Sequence, residues 1–282
     1  FVTIDYLKNQ KMLEDLSNYD SVIYNIGNNP FYHSEIYEAF LKHNGIVILH
    51  EFVLYYLITG YYLLKTKNPA LFLEEMKYNY GEEGLNEGNQ ILKGDLHPLQ
   101  YNLPEKYPLN KRLLDRAKGI IVHSNYTKKL VEEINPTVNC IKINQVAHIP
   151  NMKYLSKIRN ISHHVKKRYG IKENEIVIAS FGFIAPTKRI HKIIDALAKL
   201  KNKNFKYLLV GEGEYVRELI QKYNLMDHVI ITGFLPLMEF DALLHSSDIV
   251  INLRYPYMGE TSASTIRSLT YGKPTIVTDI GW

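Results

Sequence analysis

Cysteine is nearly missing from this chain, which holds one, Cys140, in 282 residues. An intramolecular disulfide is therefore excluded, and a reducing compartment fits. Cys140 opens the alternating stretch CIKINQVAH (140–148). That pattern predicts a buried strand residue and not a nucleophile. A secretory leader is not visible either, because FVTIDYL lacks a basic n-region. The chain starts without Met and stops at Ile280-Gly281-Trp282, just after a strand-like run, so a fragment cut at both ends is expected. Long apolar runs are scarce. The most apolar stretch, 46–64, contains His50, Glu51 and Gly60, which argues against a membrane span and predicts a buried strand running into a helix.

Charge of one sign is not in large excess. The net value of +5 does not imply nucleic acid, and it suits phosphates or an anionic membrane surface. Metal motifs are missing too: the eleven histidines show no His-Glu-x-x-His spacing, and no Asp-x-Asp occurs. What the chain does have is tyrosine, 22 of them, for which core packing is the expected fate and a membrane interface the alternative.

Strand-like and helix-like runs alternate almost throughout. The first half reads as strands at 21–27, 45–50, 119–124 and 140–148. Helices are expected at 31–43, 53–65, 69–78, 82–92, 111–117 and 126–134, with a proline-bearing loop over 95–110. A polar, basic stretch, 149–170, forms the junction, and its second half has helical character. Strands at 175–183, 206–211, 228–234, 248–254 and 274–279 follow, separated by helices at 189–200, 215–223, 238–245 and 262–271. Continuous apolar strands between helices imply parallel sheets covered on both faces. Two such units in series predict an α/β chain of two Rossmann-like domains, 1–152 and 153–282, with ligands at the carboxyl ends of strands.

Several marked residues fall at those strand ends. In FGFIAPTKR, Gly182 allows close approach, and Lys188 and Arg189 open a helix. A cation there adds to the positive helix end, and a diphosphate would resolve the conflict. Solvated basic residues are the plainer alternative. Gly211 and Gly213 form half of a G-x-G-x-x-G pattern, but Val216 takes the third position, so a nicotinamide site is poorly supported and a tight turn is expected. After Arg254 comes the loop Gly259-Glu260-Thr261-Ser262. A helix cap would explain one of these residues, whereas a ligand site would use the backbone N–H groups, the hydroxyls and Glu260 together. Arg267 lies three residues after Ser264, on the same helix face.

Taken together, FGFIAPTKR, YLLVGEGE, VIITGF and LRYPYMGETSASTIRSLTYGKPTIVTDIGW resemble the retaining glycosyltransferases of family 4. VILHEF (47–52) and GIIVHSNYTKKLV (119–131) add to the resemblance in the first half. It implies the GT-B fold, two Rossmann-like domains facing across a cleft, nearest to bacterial enzymes of surface-polysaccharide synthesis. It also implies a UDP- or GDP-sugar donor as substrate, no required cofactor or metal, and a glycan or lipid-linked acceptor. A cytoplasmic location, including the inner face of a membrane, goes with it, as does peripheral membrane contact and no nucleic acid.

Residue by residue, Lys188 matches the family's diphosphate lysine. Phe183 stands where an arginine is common, with Arg189 or Arg254 as substitutes. Glu260 matches the first carboxylate of Glu-x7-Glu. Arg267 stands where the second is expected, one residue short, so it faces a phosphate or is structural. His50 matches a first-domain strand-end histidine near the sugar or acceptor; backbone bonding is the equal alternative. His97, His123 and His148 are weaker candidates. The departure at Arg267 leaves a catalytically inactive nucleotide-sugar-binding homologue as the rival expectation.

Overall fold

The computed structural model describes residues 2, 3, 5, 11 and 15–281. Its contacts divide them into two compact units. Unit 1 holds the residues up to Gln145, then Tyr257–Thr261 and Gly281. Unit 2 holds Val146–Pro256 and Ser262–Ile280.

In unit 1, strands β1 (Ile23–Ile26), β2 (Ile46–Leu49), β3 (Gly119–Val122) and β4 (Cys140–Lys142) form a parallel sheet in that order. The helices are α1 (Pro30–Lys42), α2 (Tyr55–Gly60), α3 (Pro69–Lys93), α4 (Lys111–Arg116) and α5 (Asn125–Ile134). β4 is shorter than its alternating pattern predicts, with regular pairing ending at Lys142. Cys140 is buried at its start, and burial pushes its thiol up to about 11. The helix expected over 53–65 is α2 followed by a π turn, Tyr61–Lys65. The two helices expected at 69–78 and 82–92 abut at Gly81, whose φ of 64° and ψ of −145° kink α3. Only glycine adopts that conformation at little cost.

Tyrosine does serve this core. Tyr37 and Tyr55 are fully buried, and Tyr37 packs edge-on against Tyr61 at 5.2 Å. The buried Glu75 carboxylate is matched by Arg112, Tyr62 and Asn79.

Unit 2 begins with a helix longer than the sequence suggests, α6 (Met152–Arg168), capped by the Asn151 side chain. Strands β5 (Ile176–Phe181), β6 (Phe205–Val210), β7 (Val229–Ile231), β8 (Ile249–Asn252) and β9 (Thr275–Val277) follow. Helices α7 (Ile190–Ala198), α8 (Arg217–Lys222), α9 (Leu237–Ser246) and α10 (Ala263–Thr270) alternate with them. The sheet is parallel, in the order β7-β6-β5-β8-β9.

Side chains alternate across the central strands. Phe205, Tyr207 and Leu209 enter one core with Ile193, Ile194 and Ile220, while Leu208 and Val210 enter another with Ile158, Val165 and Leu243. Period-two alternation with both faces apolar is what a helix-covered parallel sheet requires. The chain winds one way from β5 to β7 and the other way from β8 to β9. The reversal puts the switch point at the carboxyl ends of β5 and β8, the usual ligand position in such sheets.

Candidate functional site

Gly182, Lys188 and Arg254 come together at that switch point in unit 2. β5 ends at Phe181, and the turn after it needs Gly182, with φ of 89°. A Cβ there would lie 2.6 Å from Lys188 Nζ, so glycine leaves the room that the ammonium fills. Lys188 is buried and donates a hydrogen bond to the Phe181 carbonyl. Burial, and then the nearby Arg254 guanidinium at the end of β8, lower its pKa to about 7. A buried ammonium next to a second cation is costly, and a bound anion would favour the charged form of Lys188.

Arg189 does not stand in the helix. It adopts the left-handed conformation, φ 53°, just before α7, and its guanidinium lies 5.5 Å from the Tyr255 ring. The Tyr255 N–H donates to the Thr187 carbonyl at 2.8 Å, which ties the two strand-end loops together. Tyr255 carried no sequence signal of its own beyond its place beside Arg254.

Gly211 and Gly213 serve backbone packing. A Cβ on Gly211 would sit 2.3 Å from the Gly182 carbonyl oxygen, and one on Gly213 would sit 2.4 Å from that of Ile184. The two loops are also joined by the Ile184 N–H donating to Glu212 O at 2.7 Å. These glycines let the β6 loop lie flat against the β5 loop and so shape the floor beside Lys188.

Ser262 caps α10, its hydroxyl accepting from the Thr265 N–H at 3.3 Å. The Asn252 amide donates to both Ser262 Oγ, at 2.7 Å, and Thr265 Oγ1, at 2.6 Å. Asn252, an unremarked strand residue, thereby fixes the helix start to β8. Arg267 turns to Asp241. Its Nε and Nη2 reach the two carboxylate oxygens at 2.7 and 2.6 Å. Asp241 is fully buried and also accepts from Tyr154 OH at 2.7 Å. A buried carboxylate needs such a fork, so the guanidinium is committed to structure. Of the two expectations for Arg267, the phosphate-facing one does not fit this placement.

The segment Tyr257–Thr261 is held in unit 1. Met258 O accepts from the Val53 N–H at 2.9 Å, and Gly259 O accepts from Thr127 Oγ1 at 2.7 Å. Gly259 has φ of 80°, and a Cβ on it would lie 2.3 Å from Phe52 Cβ. Glu260 is buried, and its Oε2 accepts from the Met258 N–H at 2.9 Å. The Thr261 hydroxyl is buried without a hydrogen-bond partner among the described residues.

His50 follows β2, with its ring 5.6 Å from that of His123, which follows β3. Burial first, then His123 and His33, hold its pKa below the usual histidine value. Its backbone N–H is bonded to Ile26 O, but the ring stays at the strand-end rim. His97 and His148 lie elsewhere: His97 caps the short turn Pro98–Gln100, and His148 faces the Tyr154 ring in unit 2. Asn28 was missed in the sequence reading. Its side chain accepts from the Tyr56 and Leu57 N–H groups, and its backbone N–H donates to Glu51. The Asn-Asn-Pro turn after β1 is the signal that could have found it. Among the described residues, no group of three or more His, Cys, Asp or Glu could hold a metal ion.

Residues 161–282 match the family model described as "Glycosyl transferases group 1". No curated protein sequence matches the chain. Three solved structures resemble it in fold. Sucrose-phosphate synthase (tll1590) from Thermosynechococcus elongatus is 15% identical with a TM-score of 0.61, covering 98% of this chain and 60% of that one. Anabaena Alr3699/HepE in complex with UDP-glucose is 18% identical with a TM-score of 0.59, covering 96% and 63%. WaaG, a glycosyltransferase involved in lipopolysaccharide biosynthesis, is 13% identical with a TM-score of 0.55, covering 99% and 79%. The chain thus spans less than two thirds of the first two. With two parallel sheets and these neighbours, the fold is that of the GT-B glycosyltransferases, and the second half of the chain carries the group 1 glycosyltransferase pattern.

Proposed function

We propose that the chain is part of a glycosyltransferase that moves a sugar from a nucleotide-sugar donor, a UDP- or GDP-sugar, to a glycan or lipid-linked acceptor with retention of configuration. The observation that carries this reading is Lys188. It is a buried ammonium at the switch point of unit 2, beside Arg254, with burial and the neighbouring cation both opposing its charge. A donor diphosphate would offset both effects at Lys188 by favouring its charged form.

Glycosyl transfer develops negative charge on the departing diphosphate, and positioned cations lower that barrier. Lys188 and Arg254 would take this role, with Arg189 held near by Tyr255. Glu260 would orient the donor sugar through its hydroxyls, and His50 would contact sugar or acceptor. The leaving phosphate would help deprotonate the acceptor hydroxyl, and no metal is assigned a part. Support also comes from the UDP-glucose complex of the Anabaena neighbour and from the lipopolysaccharide role of WaaG. The acceptor side includes peripheral contact with a membrane from the cytoplasmic face. No helix among the described residues is long and apolar enough to cross one.

The rival reading is a nucleotide-sugar-binding homologue without turnover. It is favoured by Arg267, which stands at the family's second carboxylate position and is engaged by Asp241. Calorimetric titration with UDP, GDP, UDP-glucose and GDP-mannose, set beside turnover with mixed acceptors, separates the two. Binding with turnover supports the transferase, and binding without turnover supports the homologue. Absence of nucleotide binding would sink both.

A further inference from the structure

We propose that the solvent face of α6, with the apolar lead-in Val146–Met152, docks on an anionic phospholipid surface. This names the surface for the membrane contact proposed above and is independent of donor binding. α6 spends its apolar side inside unit 2, where Ile158 and Val165 pack with Ala242, Leu243 and Leu244 of α9. What it shows to solvent has one sign. The helix holds Lys153, Lys157, Arg159, Lys166, Lys167 and Arg168 and no Asp or Glu. Among the described residues, only Arg168 of these six has a carboxylate partner, Glu239 at 2.6 Å.

Two neighbouring elements add to the same field. His245 at the end of α9 is held below its usual pKa by burial, then by Lys273, Arg159 and Lys166. Lys273 is lowered by burial and by Lys166, with Asp248 acting the other way, and it donates to the His245 carbonyl at 2.6 Å. Cations of α6 thus bear on both neighbouring groups, with Asp248 acting against them at Lys273.

Aliphatic side chains lie beside the cations at the amino end of the helix. Val146 is 88% exposed, Ile149 75% and Met152 74%. Three large apolar side chains left this open within seven residues are unusual for a surface that meets only water. A bilayer accepts both parts: lipid phosphates meet Lys and Arg, and aliphatic groups enter below the headgroups. A single-stranded nucleic acid would instead use aromatic rings for base stacking, and the exposed apolar residues here are aliphatic.

The test uses the whole 282-residue chain in sedimentation with vesicles. One set is phosphatidylcholine alone, and the other contains about one-third phosphatidylglycerol. The chain is expected to sediment with the anionic set only, and to be released at about 0.5 M salt. Lys153→Gln, Lys157→Gln and Lys167→Gln combined should lower vesicle affinity by about tenfold or more. Val146→Ser, Ile149→Ser and Met152→Ser combined should weaken binding that persists at intermediate salt. Unchanged circular dichroism and UDP titration curves show that each variant is folded and that the donor site is a separate matter. Equal binding to both vesicle sets, unaltered binding by the triple Gln variant, or binding to a polynucleotide with none to vesicles would overturn the proposal. Vesicle binding without binding of UDP or GDP would leave it standing while the donor reading failed.

Discussion

Gly182 and Lys188 are fitted to each other: the glycine's missing side chain is the space in which the lysine ammonium sits, 2.6 Å from where a Cβ would be. The left-handed φ of 89° at Gly182 serves the same end, because it turns the chain away from β5 and lets Lys188 fold back onto the Phe181 carbonyl. Gly182→Ala should therefore displace Lys188 and weaken UDP binding by about tenfold, or ~1.4 kcal/mol. It should also cost about 1–2 kcal/mol of stability from backbone strain. Calorimetry and denaturant unfolding read the two effects separately.

Lys188 also sets a pH dependence. Its pKa near 7 in the folded chain lies below the 10.5 of an ordinary lysine. Between those values the unfolded chain holds a proton that the folded one has released, so this group's contribution to stability rises with pH across that window. Lys188→Met should flatten that slope in unfolding measured from neutral to alkaline pH. A diphosphate reverses the preference by favouring the ammonium. UDP-glucose binding at pH ~8 should then take up as much as about one proton, visible as a buffer-dependent binding enthalpy. Lys188→Arg should bind without that uptake, since arginine stays charged.

Arg267 offers a prediction of the opposite kind. Removing it leaves the Asp241 carboxylate buried with the Tyr154 hydroxyl, and Arg267→Ala should cost about 3 kcal/mol of stability. Arg267→Lys should recover only part, because an ammonium cannot span both oxygens. UDP affinity should stay within about twofold of the parent chain in both variants. A large loss of UDP affinity in a folded Arg267→Lys protein would return this residue to the donor site.

A substitution at Glu260 is expected to separate binding from turnover. Its carboxylate is buried in a tight loop and anchored by the Met258 N–H. Glu260→Gln keeps the shape and removes the charge, so UDP binding should persist while transfer falls by about 100-fold. Gly259→Ala acts through position, because its Cβ would strike Phe52 and the left-handed φ adds strain. It should lower turnover in the same assay and reduce stability as well. Unchanged transfer in Glu260→Gln would remove this residue from the mechanism.

Much of the architecture could be read from local pattern. Apolar runs such as EIVIASFGF and KYLLVG are too continuous for half-exposed strands, and the helical spacing between them calls for a covered parallel sheet. The glycines at 182, 211 and 213 are legible as sites of close approach and tight turning after strands, and all three have positive φ. Boundaries were less legible. CIKINQVAH alternates over nine residues, yet only Cys140–Lys142 pairs, because alternation reports a suitable face and not the presence of a partner strand. The basic stretch before β5 looked only half helical, since the three residues that bury its inner face, Ile158, Ser162 and Val165, are diluted by six cations.

Composition and periodicity by themselves settled the α/β class with covered parallel sheets and the absence of an intramolecular disulfide. These follow from short-range rules in which each residue meets neighbours a few positions away. Tertiary structure decided which residue serves which partner. Arg267 and Asp241 are 26 positions apart, and Thr127 and Gly259 are 132 apart, so nothing local links either pair. The same holds for Lys188, whose lowered pKa comes from burial and from Arg254 on another strand. Burial and electrostatic fields sum over everything nearby in space, and only the folded chain determines what is near.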